Sequence, residues 1–305
     1  MKSIIDKNNK KEYALIIGAR GYIGNNLHYF LKKKKITVIK SSRKIIKNYI
    51  NIVPHNLKTF QNIDIKIKNK INYIFQLGAN DSTRKKIPNL YRNLVELRNI
   101  LNFSREIKSL KKIVLISSSN LYRSAGFKKK LKETDKLSIN SSYEQEKFLN
   151  EIVGIYFGKI YKLPIVIVRF SNLYGFPLKK NTVIYDTIKK IKNNKKVFLS
   201  KSKVIRDFLH IKDACEALFK IIRSPRLNTQ IFNVGSGIGT DINDLIMFIV
   251  KSFDYKNFFI KNFKSINKQS LILDINKIRK MLNWKPSIYL KDQISKIVNY
   301  EKKNV

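Results

Sequence analysis

Apolar residues along this chain follow two rhythms, short unbroken runs and helical spacing, and the two alternate. Residues 14–17 are the first run, and a helix-like stretch over 23–33 follows it. Further strands are predicted over 36–39, 73–77, 113–116 and 165–170, each short and apolar. Between them, Leu90, Leu94, Leu97 and Leu101 share one face of a helix predicted over 90–105. Another helix opens at Ser141 or Ser142, either of which can cap it, and runs to about 161. Glu144 and Glu146 suit its first turn. The alternation predicts an α/β fold with a parallel sheet covered on both faces. Residues 44–72, basic with scattered Ile and punctuated at Pro54, His55 and Asn56, give no clear element. Past Gly175 the rhythm loosens. Helices are predicted over 184–191, 213–223, 242–252, 275–282 and 290–301, with one short buried strand at 231–234. The stretch from Arg206 to His210 reads as the lead-in to the 213–223 helix. There is no internal repeat and no low-complexity linker, so the second region is expected to pack on the first.

Composition narrows this picture. With 305 residues the chain suits one large domain or two packed closely together. No apolar run approaches the roughly 18–20 residues that span a bilayer. Residues 1–12 are polar and lack the apolar core of a signal peptide. Cys215 is the only cysteine, which rules out an internal disulfide and fits a reducing cytoplasm. No metal and no membrane partner are expected.

The net charge of +42, from 63 basic and 21 acidic residues, raises the question of a polyanion partner. A compositional account fits better. Lys, Ile and Asn, all with AT-rich codons, are abundant together. Lysine is spread along the chain, and the aromatics lie mostly in apolar runs rather than between basic residues as stacking platforms would. No specific nucleic-acid partner is expected, although a positive field still attracts an anionic nucleotide.

Gly18, Gly21 and Gly24 sit at the junction of the first strand and first helix. Gly18 lets the chain turn, Gly21 removes a Cβ where a pyrophosphate approaches, and Gly24 lets the helix pack against the strand. Phosphates would then lie on free N–H groups at the positive end of the helix. Arg20, inside the loop, adds a charge. The second strand ends in Lys40, Ser41, Ser42 and Arg43. In such a fold an acid there takes the ribose 2′-OH of NAD, and an arginine suits the 2′-phosphate of NADP. The expected cofactor is NAD or NADP, against an ordinary strand–helix turn with no ligand, and Arg43 without an acid tips the expectation slightly toward NADP. The small residues Gly78 and Ala79, after the 73–77 strand, leave room for a ligand.

Tyr143 and Lys147 lie four apart on one face of a predicted helix. A tyrosine has a pKa of about 10 in water, and a neighbouring ammonium favours its phenolate. The lysine could also reach the nicotinamide ribose. Ser118, after the 113–116 strand, could hydrogen-bond a substrate oxygen. Together these groups could take a proton from a sugar hydroxyl while hydride leaves the same carbon, or run the reverse.

With these motifs in place, the chain resembles the extended short-chain dehydrogenase/reductases, specifically the NAD-dependent epimerase/dehydratase family that modifies nucleotide sugars. The motifs run in the family's order. They are the glycine loop from Gly18 to Gly24, Gln76 to Ala79, Asn93, Ser117 to Tyr122, Tyr143 with Lys147, and Arg169 to Gly175. Arg206 to Asp213, Phe232 to Gly235, Leu273 to Lys277 and Leu282 to Pro286 complete the set. The resemblance implies a Rossmann-like doubly wound parallel sheet with a smaller C-terminal α+β substrate-binding region. Residues 1–174 would form the NAD(P)-binding domain, with segments near 204–235 returning to it, and 175–305 would mainly bind substrate. Ser118, Tyr143 and Lys147 match the catalytic set. Gly18, Arg20, Gly21, Tyr22, Ile23, Gly24, Arg43, Leu77, Ala79 and Phe170 match the cofactor site, together with Tyr143 and Lys147. Asn172 and Arg206 match residues that contact a nucleotide-diphospho-sugar, alongside Ser118. His210 and Asp213 would serve local structure, and Trp284 the C-terminal core. A homodimer is usual in the family.

Departures from the family's pattern bear on the reaction. Gln76, Gly78 and Arg123 replace the residues usual at their positions. Asn120 stands where sugar 4,6-dehydratases carry an acid, and an amide cannot donate that proton, which disfavours a dehydratase. Lys264 stands near the family's diphosphate arginine and lacks its bidentate fork. A 4-epimerase that recycles its cofactor and a 4-ketoreductase that consumes NADPH both remain. The alternatives are a catalytically decayed NAD(P)-binding regulatory or nucleic-acid-associated protein, suggested by the charge, and a reductase of a small carbonyl compound.

Overall fold

The computed structural model describes residues 11–54, 56–77, 90–124, 129–200, 202–225, 227–261 and 268–303. The first half of the chain runs β1 (Tyr13–Ile17), α1 (Tyr22–Lys33), β2 (Thr37–Ser42), β3 (Ile50–Asn51), α2 (Lys58–Gln61), α3 (Ile65–Lys68) and β4 (Ile71–Gln76). It continues through α4 (Leu90–Arg105), β5 (Lys112–Ser118), a 3₁₀ turn at Ser119–Leu121, β6 (Lys130–Leu131), α5 (Ser142–Ile160) and β7 (Ile165–Phe170). The second half runs β8 (Asn172–Tyr174), α6 (Val183–Lys192), β9 (Val197–Ser200), β10 (Lys203–His210), α7 (Ile211–Arg223) and β11 (Gln230–Val234). It ends with β12 (Gly239–Asp241), α8 (Ile242–Ser252), β13 (Phe258–Lys261), β14 (Lys268–Leu273), α9 (Asn276–Leu282) and α10 (Leu290–Lys303).

Seven strands pair in the order β11-β7-β5-β4-β1-β2-β3, all parallel. The order reverses between β1 and β4, and in open α/β sheets the crevice at such a reversal takes ligands. Side chains alternate across the sheet. Ala14 and Ile16 join one core with Leu27, Leu31, Leu218 and Trp284, while Leu15 and Ile17 join another with Leu97, Ile100 and Leu101. Burial on both faces is why β1 reads as an unbroken apolar run. α5 starts at a capping box, with the Ser141 hydroxyl accepting from Glu144 N and the Glu144 carboxylate accepting from Ser141 N.

A smaller five-stranded sheet has the order β12-β10-β14-β6, with β8 paired to β10, and β9 and β13 form a separate parallel pair. α6, α8 and α10 cover a third core that includes Ile188, Ile249 and Ile297. Two elements of the second half return to the larger sheet: α7 packs on α1, and β11 pairs with β7.

Three expectations need correction. One strand is expected past Gly175, at 231–234, but β9 to β14 make six among the described residues, most of them short or interrupted by polar residues. Residues 44–72 hold a two-residue strand, two helices of four residues and the start of β4, each too short to show a period. The stretch from Arg206 to His210 is the end of the eight-residue strand β10, not a helix lead-in, and α7 begins at Ile211. Asp207 and His210 are buried in that strand, so its polar residues hide the strand pattern. No helix among the described residues is long and apolar enough to cross a membrane.

Candidate active site

The turn between β1 and α1 brings the three glycines together. Gly18 has φ +89°, a conformation that favours glycine, and its carbonyl accepts from Gly21 N at 3.0 Å. A Cβ on Gly24 would lie 2.3 Å from the Gly18 carbonyl oxygen. Any side chain there would push α1 away from the turn. No side chain among the described residues caps α1, so its first-turn N–H groups remain available. The adjoining cleft has a volume of 590 Å³, with Gly18, Arg20, Gly21, Ser42, Arg43 and Leu77 among its walls. A glycine cradle, an uncapped helix start and a cleft at strand ends suit a phosphate-bearing dinucleotide.

Within this cleft the predicted residues differ in exposure. Arg20 and Arg43 are exposed. Ser41 is buried and donates to the Ile16 carbonyl at 3.2 Å, which ties its hydroxyl to the sheet. The Ser42 hydroxyl accepts from Lys44 N at 3.2 Å. Tyr22 turns toward the second half of the chain, where its hydroxyl donates to the Gly175 carbonyl at 3.2 Å, and Ile23 packs on the core. Ala79 and Lys264 lie outside the described residues. Sequence reading did not single out Lys44, Ile52 or Glu96, which also line the cleft. Glu96 is 6% exposed and accepts from Arg92 at 3.1 Å.

β5 and α5 carry the Ser, Tyr and Lys. Ser118 closes β5, beside Phe170 of β7, and its hydroxyl accepts from Asn120 N at 3.2 Å. Lys147 is 8% exposed and donates to the Ile116 carbonyl at 3.3 Å, which locks α5 along β5. Its ammonium lies 5.7 Å from the centre of the Tyr143 ring. Tyr143 is one helical turn nearer the start of α5, and its hydroxyl makes no hydrogen bond among the described residues.

Asn172 and Arg206 meet in the smaller sheet. Asn172 pairs with Phe208, and its side-chain amide donates to the Asp207 carbonyl at 3.1 Å. The Arg206 guanidinium donates to its neighbour's carbonyl, Ile205, at 3.0 Å and to the Gln269 side chain at 2.7 Å. Burial pulls Arg206 below the ordinary arginine value. The Asp207 carboxylate is buried and accepts from Ser236 N and Oγ, Gly237 N and Leu273 N at 2.7–3.3 Å. Burial pushes this carboxyl up from its ordinary range, and the four donors hold it back. His210 caps α7 by accepting from Lys212 N, Asp213 accepts from Ser287 and Ile288, and Trp284 is buried in the core.

A buried polar network beneath Ser118 was absent from the sequence reading. Glu151 accepts from Arg169 Nε at 2.9 Å and Nη2 at 2.7 Å, and from the Ser117 hydroxyl at 2.5 Å. Arg169 Nη1 donates to the Tyr122 hydroxyl at 2.8 Å, and that hydroxyl donates to Asn233 at 2.7 Å. Burial opposes the Arg169 charge, but the Glu151 carboxylate holds the guanidinium above its ordinary value. Burial pushes Tyr122 up to about 12, which keeps it a protonated donor. The signal that could have found the network is Arg169 itself, a charge inside the apolar run 165–170.

The parallel sheet, the glycine turn and the Tyr–Lys helix define the extended short-chain dehydrogenase/reductase class. The chain belongs to the NAD dependent epimerase/dehydratase family, whose model matches residues 14–235. It is 27% identical to a putative UDP-glucose 4-epimerase from Methanocaldococcus jannaschii, over 95% of this chain and 98% of that one. The UDP-glucose 4-epimerase of Thermotoga maritima, solved with UDP-glucose, superposes with a TM-score of 0.82 at 21% identity, covering 96% of this chain and 99% of that one. RMD from Pseudomonas aeruginosa, complexed with NADPH, superposes with a TM-score of 0.81 at 16% identity, covering 97% of this chain and all of that one.

Proposed function

We propose that this chain is an NAD(P)-dependent epimerase acting at a sugar carbon of a nucleotide-diphospho-sugar. The observation that carries the reading is Lys147, anchored to the Ile116 carbonyl, with Tyr143 one turn away on the helix beside Ser118. The full-length likeness to a putative UDP-glucose 4-epimerase supports the substrate class. The glycine turn would hold the cofactor's pyrophosphate, and Arg20, Arg43 and Leu77 would line its path. Lys147 spends one donor on Ile116 and keeps two for ribose hydroxyls. Asn172 and Arg206 would hold the substrate diphosphate and nucleotide. The larger sheet would serve the cofactor and the smaller sheet the substrate.

Bound there, the nicotinamide supplies the hydride acceptor and donor. Tyr143 takes the proton from the sugar hydroxyl, and the Ser118 hydroxyl donates a hydrogen bond to the same oxygen. In the return step Tyr143 gives the proton back to the forming alkoxide.

A 4-ketoreductase is the second reading. Its support is the exposed Arg43 and Lys44 at the end of β2, where an NAD enzyme places an acid. Titration of cofactor-stripped protein with NAD, NADH, NADP and NADPH, with mass analysis of any co-purified cofactor, separates the two. Tight retained NAD fits the epimerase, and preferred exchangeable NADPH fits the reductase. Tyr143→Phe is expected to cut turnover by roughly 10²–10⁴-fold with cofactor binding intact. Full activity in that variant would overturn both readings.

A further inference from the structure

The face of α5 that carries Tyr143 and Lys147 continues to Glu151, four residues further on. Tyr143 and Glu151 are about 12 Å apart along the helix axis. Each of the two lower side chains grips β5 at successive residues: Lys147 at the Ile116 carbonyl and Glu151 at the Ser117 hydroxyl, next to Ser118. Glu151 also takes a two-pronged grip from Arg169 on β7, with both partners less than 5% exposed. A bidentate guanidinium–carboxylate pair fixes distance and angle, whereas apolar side chains tolerate sliding and rotation. Such a pair is a poor source of net stability, because desolvation offsets the attraction.

From Arg169 the contacts run out of the larger sheet. Its Nη1 also donates to the Glu133 carbonyl at 3.2 Å, and the Tyr122 hydroxyl passes on to Asn233. Asn233 donates to the carbonyls of Leu131 in β6, at 2.8 Å, and Asp274, at 3.3 Å, just past β14. Those strands belong to the smaller sheet, which also holds Arg206. We propose that the buried chain Ser117–Glu151–Arg169–Tyr122–Asn233 is a positioning device. It sets the axial position and rotation of the Tyr143/Lys147 helix against Ser118 and ties that setting to the smaller sheet. Its catalytic consequence rests on the reading given under Proposed function.

The test uses the full chain, loaded with cofactor, in two variants. Tyr122→Phe removes the hydroxyl that bridges the Arg169 and Asn233 side chains, and it leaves in place the Glu151–Arg169 pair, the pairing of Arg169 with Asn233 across β7 and β11, and the contacts of Glu133 with both. The double variant Glu151→Leu with Arg169→Met replaces the pair by apolar side chains of similar volume, so the protein is expected to fold. Hydrogen–deuterium exchange should show about tenfold faster exchange in peptides covering 117–124 for Tyr122→Phe, and in 142–151 for the double variant. β1 and β4 should keep wild-type protection. With a nucleotide sugar turned over by the wild type, kcat should fall roughly 10- to 100-fold at nearly constant KM and unchanged cofactor affinity. Wild-type exchange in those peptides in both variants would overturn the proposal. So would a uniform loss of protection across the molecule, which is the mark of a merely structural pair. If the wild type turns over no nucleotide sugar, the functional reading fails by itself, and the exchange pattern still decides this inference.

Discussion

Against the larger sheet, Glu151 of α5 is buried against the guanidinium of Arg169, and in the smaller sheet Asp207 is buried against three backbone N–H groups and one hydroxyl. Both carboxylates are nearly closed to solvent, at 3% and 1% exposed. The first is compensated by a charge on one side chain, the second by dipoles spread over the turn after β11 and the end of β14. A side-chain partner can be exchanged together with its acid, whereas backbone partners cannot be exchanged at all. The larger sheet therefore has an adjustable polar centre, and the smaller sheet has one fixed by the path of its chain.

The strongest way to break this contrast is to remove one charge of the pair. Arg169→Met leaves Glu151 buried and uncompensated and should cost about 3–5 kcal/mol in urea unfolding. Adding Glu151→Leu should recover most of that loss. A single variant as stable as wild type would mean that the pair is not what compensates Glu151.

Asp207→Asn is expected to cost less, about 1–3 kcal/mol, because the amide keeps the shape but turns an NH₂ toward donors. No second-site side chain should restore it, since three of the donors are backbone groups. Recovery by a neighbouring substitution would erase the distinction between the two sheets.

His210 gives the smallest effect and a third kind of burial, with neither a bound countercharge nor partners for both ring nitrogens among the described residues. Its Nδ1 accepts from Lys212 N at 3.3 Å, and its Nε2 makes no hydrogen bond among the described residues. Burial pulls it down to about 4, with Asp213 raising it and Lys212 lowering it. The folded protein then binds fewer protons than the unfolded chain between pH 6.5 and 4, so this contribution is present above pH 6.5 and is lost as pH falls toward 4. His210→Asn, which keeps a cap acceptor, should flatten the fall of Tm across that window. An unchanged slope would place the titration elsewhere.

The same contrast explains what the sequence revealed. β1, β5 and β7 were legible because burial on both faces writes a continuous apolar run, as at residues 14–17. Tyr143 and Lys147 were legible because helical spacing is local. β10 was not, because Arg206, Asp207 and His210 interrupt its pattern, and Asp207 draws its partners from Ser236, Gly237 and Leu273, far along the chain. Arg169 stood out in its strand, but Glu151 lies 18 residues away on another element, and nothing local pairs them.

β6 is only two residues long, yet it pairs with β14, and the Leu131 carbonyl accepts from Asp274 N at 2.8 Å. The chain thus leaves the larger sheet after Ser118, lends a strand to the smaller one and returns to begin α5. For anyone building chimaeras, the smaller sheet is a discontinuous module. A graft taken only from residues 175 onward would bring a foreign β14 against a native β6. A working exchange has to carry residues 119–141 and β8, which pairs with β10, along with it, so the chain has to be crossed at three points rather than one.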